Sequence, residues 1–247
     1  MDSSAYGKIF AIEEKLWWYK YRRQICFGLL DRYLASGPQR DILDVGCGTG
    51  FNVGLLQRYG RAQGVDMSED ALEFCRRRGV EQVQLQSADS LPFQEESFDL
   101  LTAFDVIEHI EDDRSALREF GRVLRPGGWM LIYTPALPWL YNDHDRIVHH
   151  KRRYLRTELQ EKITSAGFEL EHLSYANALV LPLVLLARGL QKLRGGGGHQ
   201  EMELPHPLIN SLVSMLCSAE APLVRSGTLP IGMSLVAIAR KAPPGDS

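Results

Sequence analysis

Short apolar runs alternate with segments of helical period through the first half of the chain. The apolar runs have the length of buried strands and are predicted at about 41–45, 62–66, 82–87, 98–104 and 129–133. Helices are predicted between them, at about 51–59, 69–78 and 112–124. Strands that alternate with helices at this spacing are typical of a parallel sheet with helices on both faces.

The outer parts of the chain have other patterns. Residues 8–35 carry recurring apolar and aromatic positions without a proline, which predicts one long N-terminal helix. Beyond Thr134 the sequence predicts a polar loop at 135–153, a helix at 157–167, a strand at about 168–175 and a last strand at 234–240.

Residues 178–230 form an apolar insertion between the last two predicted strands. Two helical stretches, about 178–193 and 207–224, are joined by Gly195–Gly198, which predict a flexible linker. The longest apolar run, Ala178–Ala187, has about half the length that a membrane-spanning helix needs. A cover for the sheet edge or a homodimer interface is the favoured interpretation. An apolar pocket or a peripheral contact with a lipid membrane is the alternative.

Composition narrows the class of protein. The 28 Lys and Arg residues against 31 Asp and Glu residues give a net charge of −3, which argues against a nucleic-acid partner. The cysteines Cys26, Cys47, Cys75 and Cys217 include no CxxC pair, so we expect reduced thiols rather than disulfides or a zinc site. The N-terminus lacks the basic and apolar regions of a signal peptide, and we expect a cytoplasmic protein.

A glycine-rich turn follows the first predicted strand. Asp44–Gly50 reads DVGCGTG, with glycines at three alternate positions. Since glycine has no Cβ, the backbone of such a turn can approach a ligand closely. A strand, a tight turn and a helix N-terminus together form a nucleotide-binding crevice in α/β proteins. A dinucleotide fingerprint requires glycine where Phe51 stands, so the pattern favours another adenosine-bearing cofactor.

Further motifs follow this turn in a fixed order. Asp66 ends the second predicted strand, and the later motifs are Ala88–Phe93 (ADSLPF), Ser97–Asp99 (SFD) and Arg122–Gly128 (RVLRPGG). With these motifs, the stretch of roughly residues 40–135 resembles the class I S-adenosylmethionine-dependent methyltransferases, within them the small-molecule, methyltransferase type 11-like group. The resemblance implies a Rossmann-like, doubly wound seven-stranded sheet that is mostly parallel, with an antiparallel last strand.

The resemblance also implies a domain organisation. Residues 1–38 would form a helical lid over the cofactor, and the S-adenosylmethionine-binding domain would comprise 39–177 and 231–241. The helical insertion of 178–230 would precede the last strand, and the Pro- and Gly-rich tail of 242–247 is expected to be disordered.

The cofactor site is expected at the carboxyl ends of the strands. The glycines would pack against the methionine and ribose parts, Asp66 would accept hydrogen bonds from the ribose hydroxyls, and Asp89 would accept the adenine amino group. Either Arg22 or Arg23 in the lid could bind the cofactor carboxylate, and Arg23 is our choice. The full set of expected cofactor contacts is Asp44, Gly46, Cys47, Gly48, Gly50, Asp66, Met67, Ala88, Asp89, Ser90, Phe104, Asp105 and Arg23.

The acceptor site is expected beyond strands four and five. A general base is needed only if the acceptor must lose a proton, and the candidate catalytic residues are His109, His149 and His150. His109 could equally have a structural role. The expected acceptor contacts are Trp18, Tyr141, His144, Arg146, His149, Arg153 and Tyr175. The spacing of His144, Asp145 and His149 matches no established metal motif, so no metal is expected.

Several functions remain open from the sequence. The leading hypothesis is a methyltransferase that uses S-adenosylmethionine and releases S-adenosylhomocysteine, with a small-molecule acceptor that is anionic or lipid-like. An NAD(P)-dependent oxidoreductase is the alternative enzyme, and Phe51 argues against it. A non-catalytic protein that binds S-adenosylmethionine or associates with membranes is the third hypothesis. Nucleic-acid methylation is disfavoured by the net charge.

Overall fold

A seven-stranded mixed sheet forms the centre of the molecule. The structure, a computed structural model, describes residues 3–34, 39–193 and 205–243. The sheet order is β3-β2-β1-β4-β5-β7-β6. The strands are β1 (Arg40–Val45), β2 (Gly60–Asp66), β3 (Val83–Leu85), β4 (Phe98–Phe104), β5 (Leu124–Pro135), β6 (Phe168–Ala176) and β7 (Ser234–Lys241). The strands β1 to β5 pair in parallel, whereas β7 lies antiparallel between β5 and β6. This confirms the predicted fold class.

Helices cover both faces of the sheet and one end of it. They are α1 (Ser3–Ile12), α2 (Trp17–Tyr33), α3 (Phe51–Leu56), α4 (Glu69–Arg77), α5 (Asp113–Val123), α6 (Asp143–Ile147), α7 (Arg156–Ser165), α8 (Leu181–Leu193) and α9 (Pro207–Ser226). Because both faces of the parallel strands are buried, residues such as Ile42 and Leu43 belong to separate apolar cores on opposite sides of the sheet.

The N-terminal segment contains two helices, so the prediction of one long helix was wrong. The chain leaves α1 after Ile12 and enters α2 at Trp17. Glu13, in the break, is buried and accepts hydrogen bonds from the Thr49 hydroxyl and from Arg78 Nη2, the latter at 2.7 Å. Glu13 therefore links the N-terminal segment to the glycine turn. The apolar periodicity of the sequence does not reveal such a tertiary contact.

Two other predictions also needed correction. The segment 135–153 contains the short helix α6, whose capping box is formed by Asn142 and Asp145. Strand β5 begins at Leu124 rather than at Trp129, and the Pro126-Gly127-Gly128 stretch forms a bulge in it opposite β4.

The insertion forms the helices α8 and α9, as predicted. α9 packs along α2, and the buried carboxylate of Glu220 joins them by accepting hydrogen bonds from the Tyr21 hydroxyl and the Leu179 amide. Within the described residues, α9 is the one helix that is long and apolar enough to cross a membrane by length and composition. The linker glycines Gly195–Gly198 and most of the tail, 244–247, lie outside the described residues.

Candidate functional site

A cleft with a volume of ≈ 2220 Å³ opens at the carboxyl ends of the parallel strands. Its walls come from the helices α1 and α2, the glycine turn, the segments after β2 to β5, and the insertion helices. In open α/β sheets this edge is where ligands bind, because the loops that follow the strands converge there.

The glycine turn and the end of β2 are joined by hydrogen bonds. The Gly48 amide donates to Asp66 Oδ2 at 2.9 Å, and the Ser68 amide donates to Asp66 Oδ1 at 3.0 Å. Gly48 has a φ of 55°, and a Cβ added there would have no atom within 4 Å. A turn with an open cradle beside an acidic side chain fits a ribose and the chain attached to it.

Burial affects both acidic groups of this region. Asp66 is buried, and burial raises the pKa of its carboxyl, while the bonds from Gly48 and Ser68 oppose that shift. Asp44 lies deeper, where burial raises the pKa to about 7 although Thr102 donates to Oδ1 at 2.6 Å. Asp44 Oδ2 has no hydrogen-bond partner among the described residues. Burial therefore disfavours the charged form of both carboxyls.

The structure brings most of the expected cofactor contacts to the cleft wall. These residues are Gly46, Cys47, Gly48, Asp66, Met67, Ala88, Asp89, Phe104 and Asp105. Met67 is 77% exposed, as a residue that covers a bound ring would be before binding. Their assignment to particular cofactor atoms stays a prediction.

Four of the expected cofactor contacts do not line the cleft. Asp44 lies beneath its floor, and Ser90 lies outside its wall. Gly50 faces α4, since an added Cβ would lie 3.0 Å from Cys75 Sγ. Arg23 stacks on the Phe51 ring and donates to the Glu13 carbonyl at 2.7 Å.

Arg22 takes the place at the wall that was expected for Arg23. Its side chain is buried and forms an ion pair with Asp105, at the end of β4. Burial opposes the charged guanidinium, but Asp105 together with Tyr19 and Cys26 outweighs that effect, and the pKa of Arg22 is raised. Helical periodicity alone could not separate Arg22 from its neighbour, because both lie in an uninterrupted polar-aromatic stretch.

Three of the expected acceptor contacts also lie away from the cleft. Tyr141 donates to the His150 carbonyl at 2.7 Å, and Arg146 pairs with Asp143 on the exposed side of α6. Tyr175 is buried, and its hydroxyl accepts a hydrogen bond from the Arg156 amide. The others, Trp18, His144, His149 and Arg153, line the cleft.

Two of the candidate catalytic histidines form a cluster. The rings of His109 and His150 lie 4.8 Å apart between centroids. His150 Nδ1 bonds to Asp145 Oδ1 at 2.8 Å, and His109 Nδ1 bonds to the His149 carbonyl at 3.2 Å. Because both partners only accept, each ring donates from Nδ1 and keeps a lone pair on Nε2 when neutral. Burial, helped by His150, lowers the pKa of His109 to about 4, so that ring is neutral near pH 7.

The third candidate, His149, differs from this pair. Its side chain is exposed and its backbone has a φ of 62°, and its carbonyl is the acceptor that orients His109. The structure therefore gives the His149 backbone a positioning contact, and a catalytic role for its side chain stays a prediction.

The sequence interpretation did not identify some residues of the cleft. Tyr6 of α1 lines the cofactor end and donates to Asp66 Oδ1 at 3.4 Å. Ile209 and Val213 of α9 line the acceptor end. No local pattern marks these residues, because they reach the cleft only when the lid and the insertion fold over the sheet.

Comparisons with known proteins agree with this geometry. Residues 43–132 match the Methyltransf_11 family model, a methyltransferase domain. A probable S-adenosylmethionine-dependent methyltransferase of Mycolicibacterium smegmatis is 32% identical over 165 residues, which are 65% of this chain and 62% of that protein. A ubiquinone biosynthesis O-methyltransferase of Hydrogenovibrio crunogenus is 29% identical over 106 residues, which are 40% of this chain and 44% of that protein.

The chain thus spans less than two thirds of the length of these two relatives. Among solved structures, an S-adenosylmethionine-dependent methyltransferase of Mesorhizobium loti has a TM-score of 0.55 at 18% identity, over 86% of this chain and 97% of that chain. That likeness supports the fold. Residues 43–132 therefore match a methyltransferase domain, and the chain is similar in sequence and in its seven-stranded sheet to S-adenosylmethionine-dependent methyltransferases.

Proposed function

We propose that the protein transfers the methyl group of S-adenosylmethionine to an amphipathic small molecule. The observation that carries this proposal is the mixed lining of the cleft. The segments after β4 and α6 contribute polar side chains, among them His109, His150 and Arg153, which we call the polar wall. The insertion helices α8 and α9 contribute apolar side chains, among them Leu183 and Val213, which we call the apolar wall. An acceptor with a polar, anionic head and an apolar chain fits both walls.

In this proposal, the residues at the cofactor end of the cleft bind S-adenosylmethionine and exclude water. S-adenosylmethionine, when bound, supplies a methyl carbon that its sulfonium centre activates. The glycine turn and Asp66 hold the nucleoside part, and the Arg22–Asp105 pair closes the wall next to it. The lid helices α1 and α2 cover the cleft, so that the acceptor and the methyl carbon are aligned without competing water.

The acceptor end holds the nucleophile. His109 and His150 present their Nε2 atoms to a polar head group, and Arg153 is held in place by donating to Asp145 at 2.8 Å. The name of the ubiquinone biosynthesis O-methyltransferase supports a small molecule as acceptor. The net charge of −3 supports the absence of a nucleic-acid partner.

A chain-length comparison tests the apolar wall. We expect hydroxybenzoic acids with a long alkyl substituent on the ring to give more S-adenosylhomocysteine than those with a methyl substituent, since the chain would pack on α8 and α9. Leu183→Ser should reduce this preference about 5–30-fold in kcat/KM, equivalent to ~1–2 kcal/mol of apolar contact. Leu186→Ser is the matched control, because Leu186 lies on the same helix, is 62% exposed and does not line the cleft. Equal losses in both variants, or no chain-length preference, would contradict the proposal.

We also propose that the exposed face of the insertion contacts a lipid bilayer. Leu208 and Leu212 of α9 are exposed, and this face continues into the apolar wall of the cleft through Ile209. Such continuity would let a lipid-like acceptor reach the site from the membrane surface. An exposed apolar surface of this kind can also be an interface with another protein, and a homodimer is the competing explanation.

Co-sedimentation with phosphatidylcholine–phosphatidylglycerol vesicles tests this contact. The protein should pellet with the vesicles, and the double variant Leu208→Ser, Leu212→Ser should lose most of that binding. Leu85→Ser is the control, since Leu85 is an exposed leucine of the opposite sheet edge. A soluble dimer in sedimentation velocity without vesicle binding would reject the membrane and support the homodimer.

A further inference from the structure

Three potential metal ligands converge at the acceptor end of the cleft. Glu108, His109 and His150 each offer one ligand atom, and these atoms all lie within 4.8 Å of one another. Glu108 and His109 end the 3₁₀ turn after β4, whereas His150 follows α6. The histidines are 41 residues apart in the sequence, so only the folded structure shows that these three residues lie together.

Both histidines form the hydrogen bonds that are usual for metal-binding histidines. In protein metal sites, a ligating imidazole usually donates its other N–H to a carboxylate or a backbone carbonyl. His150 donates to Asp145, and His109 donates to the His149 carbonyl. Asp145 is itself fixed by Arg153 Nε at 2.8 Å and by the Asn142 amide at 2.9 Å. Both Nε2 atoms are therefore fixed in direction and free to bind.

One oxygen of the Glu108 carboxylate lacks a hydrogen bond. The side chain is fully buried, and Thr134 donates to Oε2 at 3.0 Å. Oε1 has no hydrogen bond to any described residue, and His150 Nε2 lies 3.7 Å from it. The cationic side chains nearby are engaged elsewhere, Arg22 with Asp105 and Lys151 with Glu111. A buried carboxylate oxygen without a donor is costly, and a bound cation would compensate it.

We propose that Glu108 Oε1, His109 Nε2 and His150 Nε2 bind one divalent transition-metal ion. Two imidazoles and one carboxylate suit Zn²⁺, Fe²⁺ or Co²⁺, whereas Mg²⁺ and Ca²⁺ prefer oxygen ligands only. Tetrahedral ligands about 2.1 Å from an ion lie ~3.4 Å apart, so ligand atoms that are up to 4.8 Å apart must approach by up to about 1.4 Å. His109 and His150 are only partly buried, and their rings would shift by this amount when the ion binds.

The metal site has a role in the methyl transfer, and this role rests on the proposed function. Three protein ligands leave a coordination position open toward the cleft, which an oxygen of the acceptor can fill. The ion lowers the pKa of a bound hydroxyl, whose proton passes to water. The oxyanion lone pair then forms the new O–CH₃ bond while the S–CH₃ bond breaks, and S-adenosylhomocysteine leaves. His109 and His150 act in this step as ligands rather than as bases.

The test is a metal titration that does not depend on methylation. Chelator-treated protein is titrated with ZnCl₂ by calorimetry and with CoCl₂ by visible absorption. We expect one ion per chain and cobalt bands typical of nitrogen and oxygen ligands. His150→Gln and Glu108→Gln should weaken binding at least about 100-fold, and Asp145→Asn about 10–100-fold as an orienting residue. Glu108→Gln keeps an acceptor for Thr134 and so preserves the local packing.

Controls separate this site from surface binding and from the methyl-transfer proposal. His206→Gln alters an exposed histidine outside the cleft and should leave zinc affinity unchanged. No stoichiometric zinc binding, or the same loss in His206→Gln as in His150→Gln, overturns the metal site. S-adenosylmethionine binding is measured in parallel on metal-free protein. Cofactor binding without metal binding rejects the site alone, and metal binding without cofactor binding rejects the proposed function alone.

Discussion

Gly48→Val is expected to abolish binding of S-adenosylmethionine, with a loss of at least about 100-fold in affinity, or ~2.8 kcal/mol. The space beside Gly48 is open to 4 Å within the cleft, and the proposed cofactor would occupy it. A valine side chain would fill it and keep the ligand from the backbone. Calorimetric titration with S-adenosylmethionine and S-adenosylhomocysteine measures the effect.

Backbone strain must be separated from the filled space. Gly48 has a φ of 55°, which a β-branched residue adopts only with strain. Gly79→Val is the matched control, because Gly79 has a φ of 78°, an equally open Cβ position and no place in the cleft wall. Both variants should lose similar stability, but only Gly48→Val should lose cofactor binding. A folded Gly48→Val protein with wild-type affinity would disprove the assignment of this loop.

Asp66→Ala examines the same loop without adding volume. Removal of the carboxylate should weaken binding of S-adenosylmethionine by about 1–3 kcal/mol, since it removes charge-assisted hydrogen bonds. Asp70→Ala, on the exposed first turn of α4, should leave the affinity unchanged. An unchanged dissociation constant in Asp66→Ala would show that the ribose assignment is wrong.

Glu220→Ala is expected to have the largest effect on stability. The buried carboxylate accepts from the Tyr21 hydroxyl on α2 and from the Leu179 amide before α8, at 2.7 Å for the latter. Alanine leaves both donors buried without an acceptor, which should lower the free energy of unfolding by about 2–4 kcal/mol. For a chain of this size the thermal midpoint should fall by roughly 4–16 °C.

A conservative variant identifies the cause of that loss. Glu220→Gln keeps an acceptor oxygen at nearly the same volume, so we expect it to recover much of the stability. Glu169→Ala removes an exposed acid from β6 and should stay within about 0.5 kcal/mol of the wild type. Chemical denaturation measures all three variants. A Glu220→Ala protein as stable as the Glu169→Ala protein would contradict this account of the insertion.

Most of the sheet could be predicted from the sequence, because its signals are local. Buried strands such as 98–104 and the capped helix that begins after Ser68 depend on neighbouring residues, since Ser68 accepts a hydrogen bond from the Ala71 amide three residues later. The break between α1 and α2 could not be predicted, because Glu13 is held there by Thr49 and Arg78. Such contacts join residues that are distant in the sequence.

Some residues of the candidate site could likewise be predicted from the sequence, and others could not. The glycine turn and Asp66 follow their strands directly, so the sheet topology alone brings them to one edge. The choice between Arg22 and Arg23 depends on how α2 is rotated, which the mixed aromatic and basic pattern does not define. The histidine cluster needed two loops 41 residues apart to meet, and Glu108 was hidden because its role depends on an unbonded buried oxygen.

The packing of α9 on α2 has a kinetic consequence. Asn210 accepts from the Trp17 amide at 3.0 Å and donates to the Lys15 carbonyl at 3.0 Å, so the insertion is fastened to the start of α2. The same helix supplies Ile209 and Val213 to the acceptor wall. If α2 withdraws when the nucleoside exchanges, α9 must move with it, and the pocket for the second substrate is lost. Substrate addition should then be compulsory in order, with the nucleoside entering first and its demethylated form leaving last.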